Sequence, residues 1–454
     1  MSSLNIVILA AGKGTRMCSE LPKVLHKLAG KPLIQHVLDT SLKLDPACTC
    51  VVYGHGGEIV PQTLRQYAAQ FIIQEPQLGT GHAVQQALPH LTDGTYTLIL
   101  YGDVPLIQHR SLQQMMNTQS GLTLLTVQLD NPAGYGRIVR DCDENVLAIV
   151  EDKDATPQQR ETKEINTGIM MAKTALLRDW LAKLNNNNAQ GEYYLTDIVA
   201  MAVAQGVSIE TVHPASRWEI EGINNKQQLA TLERVWQHDL ANQLMLQGVT
   251  LSDPSRIDIR GNLICGRDVE IDIGCTFEGR VTLQDNVKVG AHSIVRNSTI
   301  ARGTQIEPYS YIDTSEVGAN CHIGPYARLR PGSKLADDAH VGNFVEIKNS
   351  EIGQGSKANH LSYIGDSTVG SRVNIGAGTI TCNYDGANKH RTVIEDDVFI
   401  GSDTQLVAPV RVGRGATIGA GSTITKEVPP GKLSLSRSKQ ISLSGWTRPK
   451  KGTK

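Results

Sequence analysis

A glycine-rich loop with cationic side chains follows the first apolar segment of the chain. Its glycines let backbone N–H groups turn towards an anion, and the side chains of Lys13, Arg16 and Lys23 can neutralise a chain of phosphates. The loop lacks the pattern of a Walker loop and the later glycine of a dinucleotide-binding fingerprint. Read alone, it could also be an ordinary turn between a strand and a helix. The sequence of this loop is Leu9-Ala10-Ala11-Gly12-Lys13-Gly14-Thr15-Arg16.

An aspartate and an asparagine further along the chain offer oxygen ligands for a hard cation. Asp103 comes three residues after the β-rich segment 97–100, so it should lie at the carboxyl end of a strand, where open α/β sheets bind ligands. Asn225 follows where the alternating pattern of strands and helices ends. Alone, Asp103 could be a turn residue and Asn225 a helix cap. The family resemblance described below implies that the two bind a metal ion, and a phosphate-binding loop in the same domain favours that interpretation over the turn and the cap.

The C-terminal half contains a second set of residues suited to chemistry. His360 occurs in the same stretch as Arg330, Lys348, Tyr363 and Asn374. The two cations suit a phosphate group, and the tyrosine and the amide suit hydroxyl groups. Histidine titrates near neutral pH, so it can serve as a general base. A lone surface histidine is often merely solvated, but these neighbours favour a functional interpretation.

A repeat with a period of six determines the architecture around this second set. Neither a helix nor an alternating strand has that period, and small residues often follow the aliphatic one, where the chain must turn tightly. The pattern predicts the hexapeptide coils of a parallel β-helix. Residues 383–391 interrupt the repeat as a loop, and such interruptions commonly mark function. The repeated positions include Ile294, Ile300, Ile306, Ile312, Val317, Ile323, Leu329, Leu335, Val341, Ile347, Ile394, Ile400, Leu406, Val412, Ile418 and Ile424.

The first half of the chain alternates between short β-rich segments and longer helical ones, which indicates an α/β domain with a mostly parallel sheet. Between the halves, apolar residues recur every three or four positions and predict one amphipathic helix. The predicted fold class is therefore α/β plus all-β. We expect a Rossmann-like domain over residues 1–225, a linker helix over 226–248, and a left-handed β-helix with a C-terminal tail over 249–454.

Composition excludes several classes of function. The 454 residues have a formal net charge of -1, so no nucleic-acid-binding surface is expected. The eight cysteines form no metal-binding pattern, which favours a reduced, cytoplasmic chain. Residues 4–11 are too short to span a bilayer, and no membrane association is expected. The basic tail, with Arg448, Lys450, Lys451 and Lys454, is interpreted as solvated and mobile, with attraction to phosphate as the less favoured alternative.

The N-terminal motifs resemble those of the sugar-1-phosphate nucleotidyltransferases. The glycine loop with Pro22-Lys23 matches their signature, and segments around Gln74, Asp103 and Asn225 follow in the same order. The resemblance implies that Arg16 and Lys23 are catalytic through alignment and charge stabilisation, and that Asp103 and Asn225 hold Mg²⁺. The residues implied for UTP and UDP-N-acetylglucosamine are Leu9, Ala10, Ala11, Gly12, Lys23, Gln74, Gly79, Thr80, Tyr101, Gly102, Asp103, Gly136, Glu151, Asn166 and Asn225.

The C-terminal set resembles the acetyltransferase half of the bifunctional N-acetylglucosamine-1-phosphate uridyltransferase/glucosamine-1-phosphate acetyltransferases, so the resemblance covers nearly the whole chain. It implies that His360 is the general base for attack of the glucosamine amine on acetyl-CoA. Glu346 could orient this histidine or could be an exposed carboxylate without a role. The sugar-phosphate residues would be Arg330, Lys348, Tyr363, Asn374 and Lys389. The acetyl-CoA residues would be Ala377, Asn383, Tyr384, Ser402, Ala420 and Arg437.

The resemblance implies a bacterial multifunctional enzyme of UDP-N-acetylglucosamine synthesis. It would acetylate glucosamine-1-phosphate and then transfer a uridylyl group from UTP to N-acetylglucosamine-1-phosphate with release of pyrophosphate, which supplies peptidoglycan and lipopolysaccharide precursors for the cell wall. Its partners would be these small molecules, with Mg²⁺ as cofactor. Flat solenoid faces favour closed packing, and we expect a homotrimer. The alternatives are a nucleotidyltransferase with a purely structural β-helix and a non-catalytic scaffold.

Overall fold

The structure, a computed structural model, describes residues 4–54, 56–449 and 451. The chain divides into two compact units, Met1–Trp236 and Gln237–Lys454. The division falls within the helix Lys226–Leu246, where the sequence predicts a linker helix. Two residues of the basic tail, Lys450 and Lys454, lie outside the described residues. Within the described part of the chain, no helix combines the length and hydropathy needed to cross a membrane.

The first unit is built on a nine-stranded sheet. In spatial order its main strands are Ile209–Val212, Leu122–Gln128, Glu164–Lys173, Tyr96–Tyr101, Leu4–Ala10, Cys48–Tyr53 and Gln70–Ile73, and Arg137–Arg140 and Val146–Val150 extend it beside Glu164–Lys173. A separate pair consists of Lys27–Leu28 and Lys31–Pro32. The α-helices of this unit are Leu33–Ser41, Ile59–Thr63, Thr80–Ala87, His109–Asn117, Pro157–Arg160, Thr174–Ala182 and Ile198–Ala204.

The first strand lies at the centre of this sheet and is buried along its whole length. Its alternate side chains belong to two hydrophobic cores: Ile6 and Ile8 pack into one, and Val7 and Leu9 into the other. This division follows from the two-residue period of a strand whose two faces are both covered. The continuous apolar run in the sequence is the signature of such a strand.

The strand order reverses beside this central strand. From Leu4–Ala10 the chain continues to Cys48–Tyr53 and Gln70–Ile73 on one side, and it then crosses to Tyr96–Tyr101 on the other. Both direct neighbours of the first strand are parallel to it. A crevice forms at such a reversal, outside the carboxyl ends of the strands. The glycine loop and Asp103 follow the two strands that flank this crevice.

The second unit is the predicted left-handed parallel β-helix, and the predicted fold class is confirmed. One face is an eleven-stranded sheet, and seventeen further strands form the remaining sheet. The first sheet contains Thr250–Leu251, Glu270–Ile271, Lys288–Val289, Gln305–Ile306, His322–Ile323, His340–Asn343, Lys357–His360, Asn374–Ile375, Phe399–Ile400, Thr417–Ile418 and Leu433–Ser434. The second contains Ile257–Cys265, Cys275–Leu283, Ile294–Arg296, Thr299–Ile300, Tyr311–Asp313, Glu316–Val317, Arg328–Leu329, Lys334–Leu335, Glu346–Lys348, Glu351–Ile352, Tyr363–Gly365, Ser367–Val369, Ile380–Cys382, Thr392–Ile394, Gln405–Val407, Val410–Val412 and Thr423–Ile424.

Aromatic rings are stacked along one corner of the solenoid. The rings of His292 and Tyr309, of Tyr309 and Tyr326, and of Tyr326 and Phe344 have centroids 5.3, 5.1 and 5.3 Å apart. Tyr309, Tyr326 and Phe344 are all exposed. We call these four residues the aromatic row. Leu361, also exposed, is the corner residue of the next coil, and a glycine, Gly378, follows one coil later.

Candidate active sites

A cavity of 490 Å³ opens at the crevice of the first unit. Eleven of its lining residues are ones that the sequence singles out, and they come from four separate segments of the chain. Parallel strands end at the same edge of the sheet, and this is why segments so far apart in sequence meet here. The lining residues are Leu9, Ala10, Ala11, Gly12, Lys13, Lys23, Val24, Gln74, Gln77, Gly79, Thr80, Ala83, Tyr101, Asp103 and Glu192.

The glycine loop closes tightly against Lys23. Gly14 has a φ of +61°, and a Cβ atom there would lie 2.7 Å from the Cβ of Lys23, so only glycine fits this turn. The Lys23 ammonium forms an ion pair with Asp103 and donates a hydrogen bond of 3.2 Å to Oδ1 of Asn224. Arg16 is exposed on the turn Thr15–Met17 and is not among the residues that line the cavity.

Two glutamines, Gln74 and Gln77, connect loops that line the cavity. The buried Gln74 donates from Nε2 to the carbonyl oxygen of Gly79 at 2.9 Å. Gln77, which the sequence analysis does not single out, donates from Nε2 to the carbonyl oxygen of Ala11 at 2.7 Å. Gln77 therefore ties this segment to the phosphate loop. Only its position, three residues after Gln74, could have suggested this role.

Gly136, Glu151 and Asn166, which the resemblance implies for binding UDP-N-acetylglucosamine, lie together beside Tyr101. The backbone N–H of Asn166 donates to the carbonyl oxygen of Gly136 at 2.8 Å, and Glu151 accepts a hydrogen bond of 3.1 Å from Thr196. Burial raises the pKa of Tyr101, and the charges of Glu151 and then Asp103 raise it further. The hydroxyl of Tyr101 therefore lies within the electrostatic field of two carboxylates, that of Glu151 and that of Asp103, the aspartate predicted to bind the metal.

The chemistry at Asp103 suits a hard cation. Its carboxylate lines the cavity and already attracts the ammonium of Lys23. The side-chain oxygen of Asn225 accepts the backbone N–H of Gln228 at 2.8 Å, as a helix cap does, whereas that of Asn224 faces Lys23. The described residues contain no group of three or more His, Cys, Asp or Glu side chains that could hold a metal ion. A site with one carboxylate, one amide and substrate phosphates needs no such group.

In the second unit, His360 and four of the six residues predicted for acetyl-CoA, Ala377, Ser402, Ala420 and Arg437, follow one another along a corner. Successive backbone hydrogen bonds link the coils: Gly378 donates to the oxygen of His360 at 3.4 Å, Asp403 to that of Ala377 at 2.7 Å, and Gly421 to that of Ser402 at 2.8 Å. The guanidinium of Arg437 then donates to the oxygen of Ala420 at 2.8 Å. We call the column His360, Ala377, Ser402 and Ala420 the small-residue lane.

The side chains of Lys348 and Lys389 form a cationic cluster near Asp366, away from the sheet that carries His360. Asp366 is buried and accepts hydrogen bonds from Asn349, at 2.6 Å, and from Asn383. Burial alone would raise the pKa of Asp366, but these two hydrogen bonds and the positive charges of Lys348 and Lys389 lower it overall. The carboxylate of Asp366 is therefore hydrogen-bonded to Asn383 and lies in the field of Lys348 and Lys389, three residues predicted for substrate binding. No motif in the sequence points to Asp366.

The remaining predicted residues lie near these groups. Arg330 forms an ion pair of 2.9 Å with Glu346, and the hydroxyl of Tyr363 accepts from Asn383 at 3.5 Å. The loop over residues 383–391 is closed by a bridge between Tyr384 and Lys389, both exposed. Asn374 lies half-buried on the eleven-stranded sheet, paired with Lys357 and Phe399 of the adjacent coils.

Three family models match segments of the chain. Residues 6–158 match a MobA-like NTP transferase domain, residues 259–352 match a GMPPB C-terminal domain, and residues 391–426 match the bacterial transferase hexapeptide of six repeats. A solved structure of a nucleotidyl transferase from Methanothermobacter thermautotroptrophicus matches with a TM-score of 0.37 and 18% identity, covering 51% of this chain and 96% of that one. That similarity is too low to carry an argument.

Relatives that match the whole chain decide the family. The chain is 62% identical over 450 residues to the bifunctional protein GlmU of Janthinobacterium sp. (strain Marseille), with 99% of each chain covered. It is 63% identical over 457 residues to that of Nitrosospira multiformis, covering 100% of this chain and 99% of that one. The chain belongs to the GlmU family of bifunctional proteins. The GlmU protein of Azoarcus sp. (strain BH72) is 61% identical over 450 residues, covering 99% of this chain and 100% of that one.

Membership in the GlmU family confirms the predicted function. The chain is an enzyme that joins a uridyltransferase to an acetyltransferase of the hexapeptide class for UDP-N-acetylglucosamine synthesis. Neither alternative, a nucleotidyltransferase with a purely structural β-helix or a non-catalytic scaffold, is compatible with this membership. Within the GlmU fold of this chain, the cavity of the first unit and the corner of the second are the two candidate active sites.

The buried carboxylate of Asp366 provides a test of the second site. Because folding lowers its pKa, its ionised form stabilises the fold at neutral pH, and this contribution is lost as the pH falls through the lowered pKa. We expect Asp366→Asn to lower the free energy of unfolding by about 1–3 kcal/mol at pH 7, because a buried hydrogen-bond network is weakened. The difference from the wild type should narrow below about pH 4, the range in which an ordinary aspartate titrates. Urea unfolding of the full chain at several pH values measures it.

Asp268→Asn is the matched control. Asp268 has a φ of 53°, close to the 49° of Asp366, but it is exposed. Its substitution should change stability by less than about 0.5 kcal/mol at any of these pH values. A pH-independent difference between Asp366→Asn and the wild type would contradict the assigned role of the charge.

Proposed function

We propose that the cavity of the first unit is the uridyltransferase site. The glycine loop, Lys13 and Lys23 would hold the triphosphate of UTP, and the loop from Gln74 to Thr80 would approach the base. Arg16, on the exposed turn beside the loop, would add positive charge once the triphosphate is bound. A phosphate oxygen of N-acetylglucosamine-1-phosphate attacks the α-phosphorus, and pyrophosphate leaves. The protein contributes by alignment and charge rather than by a covalent intermediate.

We propose that Asp103 and Asn225 hold Mg²⁺ together with substrate phosphates. When bound, the ion supplies charge neutralisation to the phosphates that react. The carboxylate of Asp103 supports this assignment because it faces the cavity and is paired with a cation. The oxygen of Asn225 that caps the helix has a second lone pair, so capping and metal binding are compatible. Lys23 would then exchange Asp103 for a phosphate group when substrate binds. On the opposite side, Gly136, Glu151 and Asn166 would contact the sugar, with Tyr101 and Gly102 between them and the metal.

The observation that carries the acetyltransferase assignment is the small-residue lane. Downstream of Leu361 the corner bears no large apolar side chain, because Gly378, Asp403 and Gly421 follow one coil at a time beside the small-residue lane. Upstream it bears the aromatic row and Leu361. An extended acetyl-CoA molecule would lie along the bare part of the corner, with its thioester at His360 and its phosphates towards Arg437. This polarity follows because the bulky residues block the other direction. Eight free thiols across the chain also favour a reducing compartment, and we propose the cytoplasm.

In the proposed acetyl transfer, His360 accepts a proton from the amine of glucosamine-1-phosphate. The nitrogen lone pair attacks the thioester carbonyl carbon, the carbon–sulfur bond breaks, and coenzyme A leaves as its thiol or thiolate. Arg330, Lys348 and Lys389 would bind the sugar phosphate, while Tyr363 and Asn374 would contact hydroxyl groups. Asn383 and Tyr384 would close the site around the acetyl group. Acetylation would precede uridylyl transfer.

Two single substitutions should separate the activities. His360→Ala should lower acetyl transfer by about 10²- to 10⁴-fold, the contribution of a general base, and leave uridylyl transfer unchanged. Asp103→Ala should do the reverse, because it removes a proposed metal ligand from the other unit. Thiol release from acetyl-CoA with glucosamine-1-phosphate, and pyrophosphate release from UTP with N-acetylglucosamine-1-phosphate, measure the two activities. Wild-type acetyl transfer by the His360 variant would refute the proposed base.

A bulky residue in the small-residue lane should obstruct acetyl-CoA selectively. Ser402→Trp is expected to raise the KM for acetyl-CoA by tenfold or more, since a binding loss of about 1.4 kcal/mol corresponds to about tenfold. The KM for glucosamine-1-phosphate should stay unchanged. Thr423→Trp, at an exposed position on the other sheet, is the matched control and should affect neither constant. Equal effects of both substitutions would contradict the proposed route of acetyl-CoA.

We propose that the enzyme is a homotrimer, because flat solenoid faces favour closed symmetric packing and a site at a solenoid corner can be completed by a neighbouring chain. Light scattering coupled to gel filtration should give a mass three times that of one chain. A monomer with full acetyltransferase activity would exclude a site completed by a second chain.

A further inference from the structure

His360 has a side-chain partner that the sequence analysis does not identify. Nδ1 of its imidazole lies 2.9 Å from Oδ1 of Asn343, one coil earlier in the solenoid. His360 is otherwise exposed, and Asn343 is half-buried at the end of its strand. The contact therefore joins the half-buried amide of Asn343 to the imidazole of His360, the first residue of the small-residue lane.

The register of the solenoid brings these two residues together. His340–Asn343 and Lys357–His360 are parallel neighbours, and Asn343 pairs directly with His360. The coils approach closely here: a Cβ atom on Gly342 would lie 2.1 Å from the carbonyl oxygen of Asn359. Glycine at position 342 is needed for this approach. The backbone N–H of Leu361 also donates to the carbonyl oxygen of Asn343 at 3.1 Å, which fixes the corner beside the pair.

The hydrogen bond determines which ring nitrogen can act as a base. An amide oxygen can only accept, so Nδ1 of His360 must carry the proton in the neutral ring. The lone pair then resides on Nε2, on the opposite side of the imidazole from Asn343. That nitrogen is the one available to a substrate amine. The same contact restricts rotation of an exposed ring, which would otherwise sample several rotamers.

Glu346, the residue considered from the sequence as the orienting group, has other partners. Its carboxylate accepts from Arg330 at 2.9 Å and from Arg328 at 3.4 Å. It lies on the strand Glu346–Lys348, and these hydrogen bonds join it to the two arginines rather than to the imidazole of His360. Its negative charge is therefore directed towards the arginine side chains of the sugar-phosphate region.

We propose that Asn343 is the positioning residue for the acetyltransferase base: it holds His360 in the tautomer and orientation in which Nε2 accepts the proton of the amine. This inference rests on the proposed role of His360 as general base. It adds a residue whose function is exerted through the histidine, without contact with either substrate. Its loss should therefore lower the rate of the chemical step and leave substrate binding almost unchanged.

The test compares Asn343→Ala with Asn343→Asp in the full-length enzyme. Loss of a group that orients a metal-binding histidine costs about 10- to 100-fold, and we expect a similar decrease in the kcat of acetyl transfer for Asn343→Ala. The KM values for acetyl-CoA and glucosamine-1-phosphate should change by less than about threefold, since no substrate contact is removed. Aspartate keeps an acceptor oxygen at the same place, so Asn343→Asp should restore kcat to within about threefold of the wild type.

Uridylyl transfer and the circular dichroism spectrum of each variant report on folding, and Asn262→Ala, at an exposed asparagine on another strand of the solenoid, is the matched control. Wild-type kcat in Asn343→Ala would overturn the inference. It would also be overturned if Asn343→Asp were as impaired as Asn343→Ala, because the amide would then serve as a donor or as packing. His360→Ala, assayed in parallel, separates the two proposals: if it keeps acetyl transfer, the base assignment itself fails.

Discussion

The register between successive coils is the constraint on which the chemistry of the second unit depends. Each coil lies directly over the previous one, so residues 17 positions apart become neighbours, as Asn343 and His360 do, and as Asn349, Asp366 and Asn383 do in turn. The buried aliphatic side chains hold this register, because a slip of one residue would turn them to the solvent. The hydrophobic core of the solenoid therefore positions the polar groups on its surface, although it touches none of the substrates.

The first unit positions its side chains in another way. The residues proposed for its site come from loops that follow different parallel strands, and the reversal of strand order leaves a crevice where those loops meet. Charge then completes the arrangement: Lys23 bridges the glycine loop and Asp103 before any ligand is present. One half of the enzyme therefore places its groups by stacking coils, and the other by converging strand ends.

Much of this organisation is legible in the sequence, and the exceptions have physical causes. The period of six and the buried first strand reflect local rules of burial, so they predict both folds. Residues such as Asp103 and His360 lie in sequence motifs that can be identified without knowledge of the fold. Asn343 and Asp366 escape notice because their partners depend on the exact length of a coil and on corner residues in the left-handed region. Likewise, the sequence cannot show that Asn225 caps a helix while its neighbour Asn224 faces Lys23.

Because the bulky corner side chains end at Leu361, the corner beyond that residue has a defined length that can be measured in coils. Stacked coils rise by about 4.8 Å each, so the three steps from His360 to Ala420 measure about 14 Å along the corner. The coil of His360 and Leu361, where the bulky side chains end, is the starting point of this distance, and the guanidinium of Arg437 marks its far end. In a solenoid of the same kind with one more bulky coil, the accessible stretch would be one step shorter. The acyl donor accepted would then be selected by the length of its carrier arm, independently of any contact with the acyl group itself.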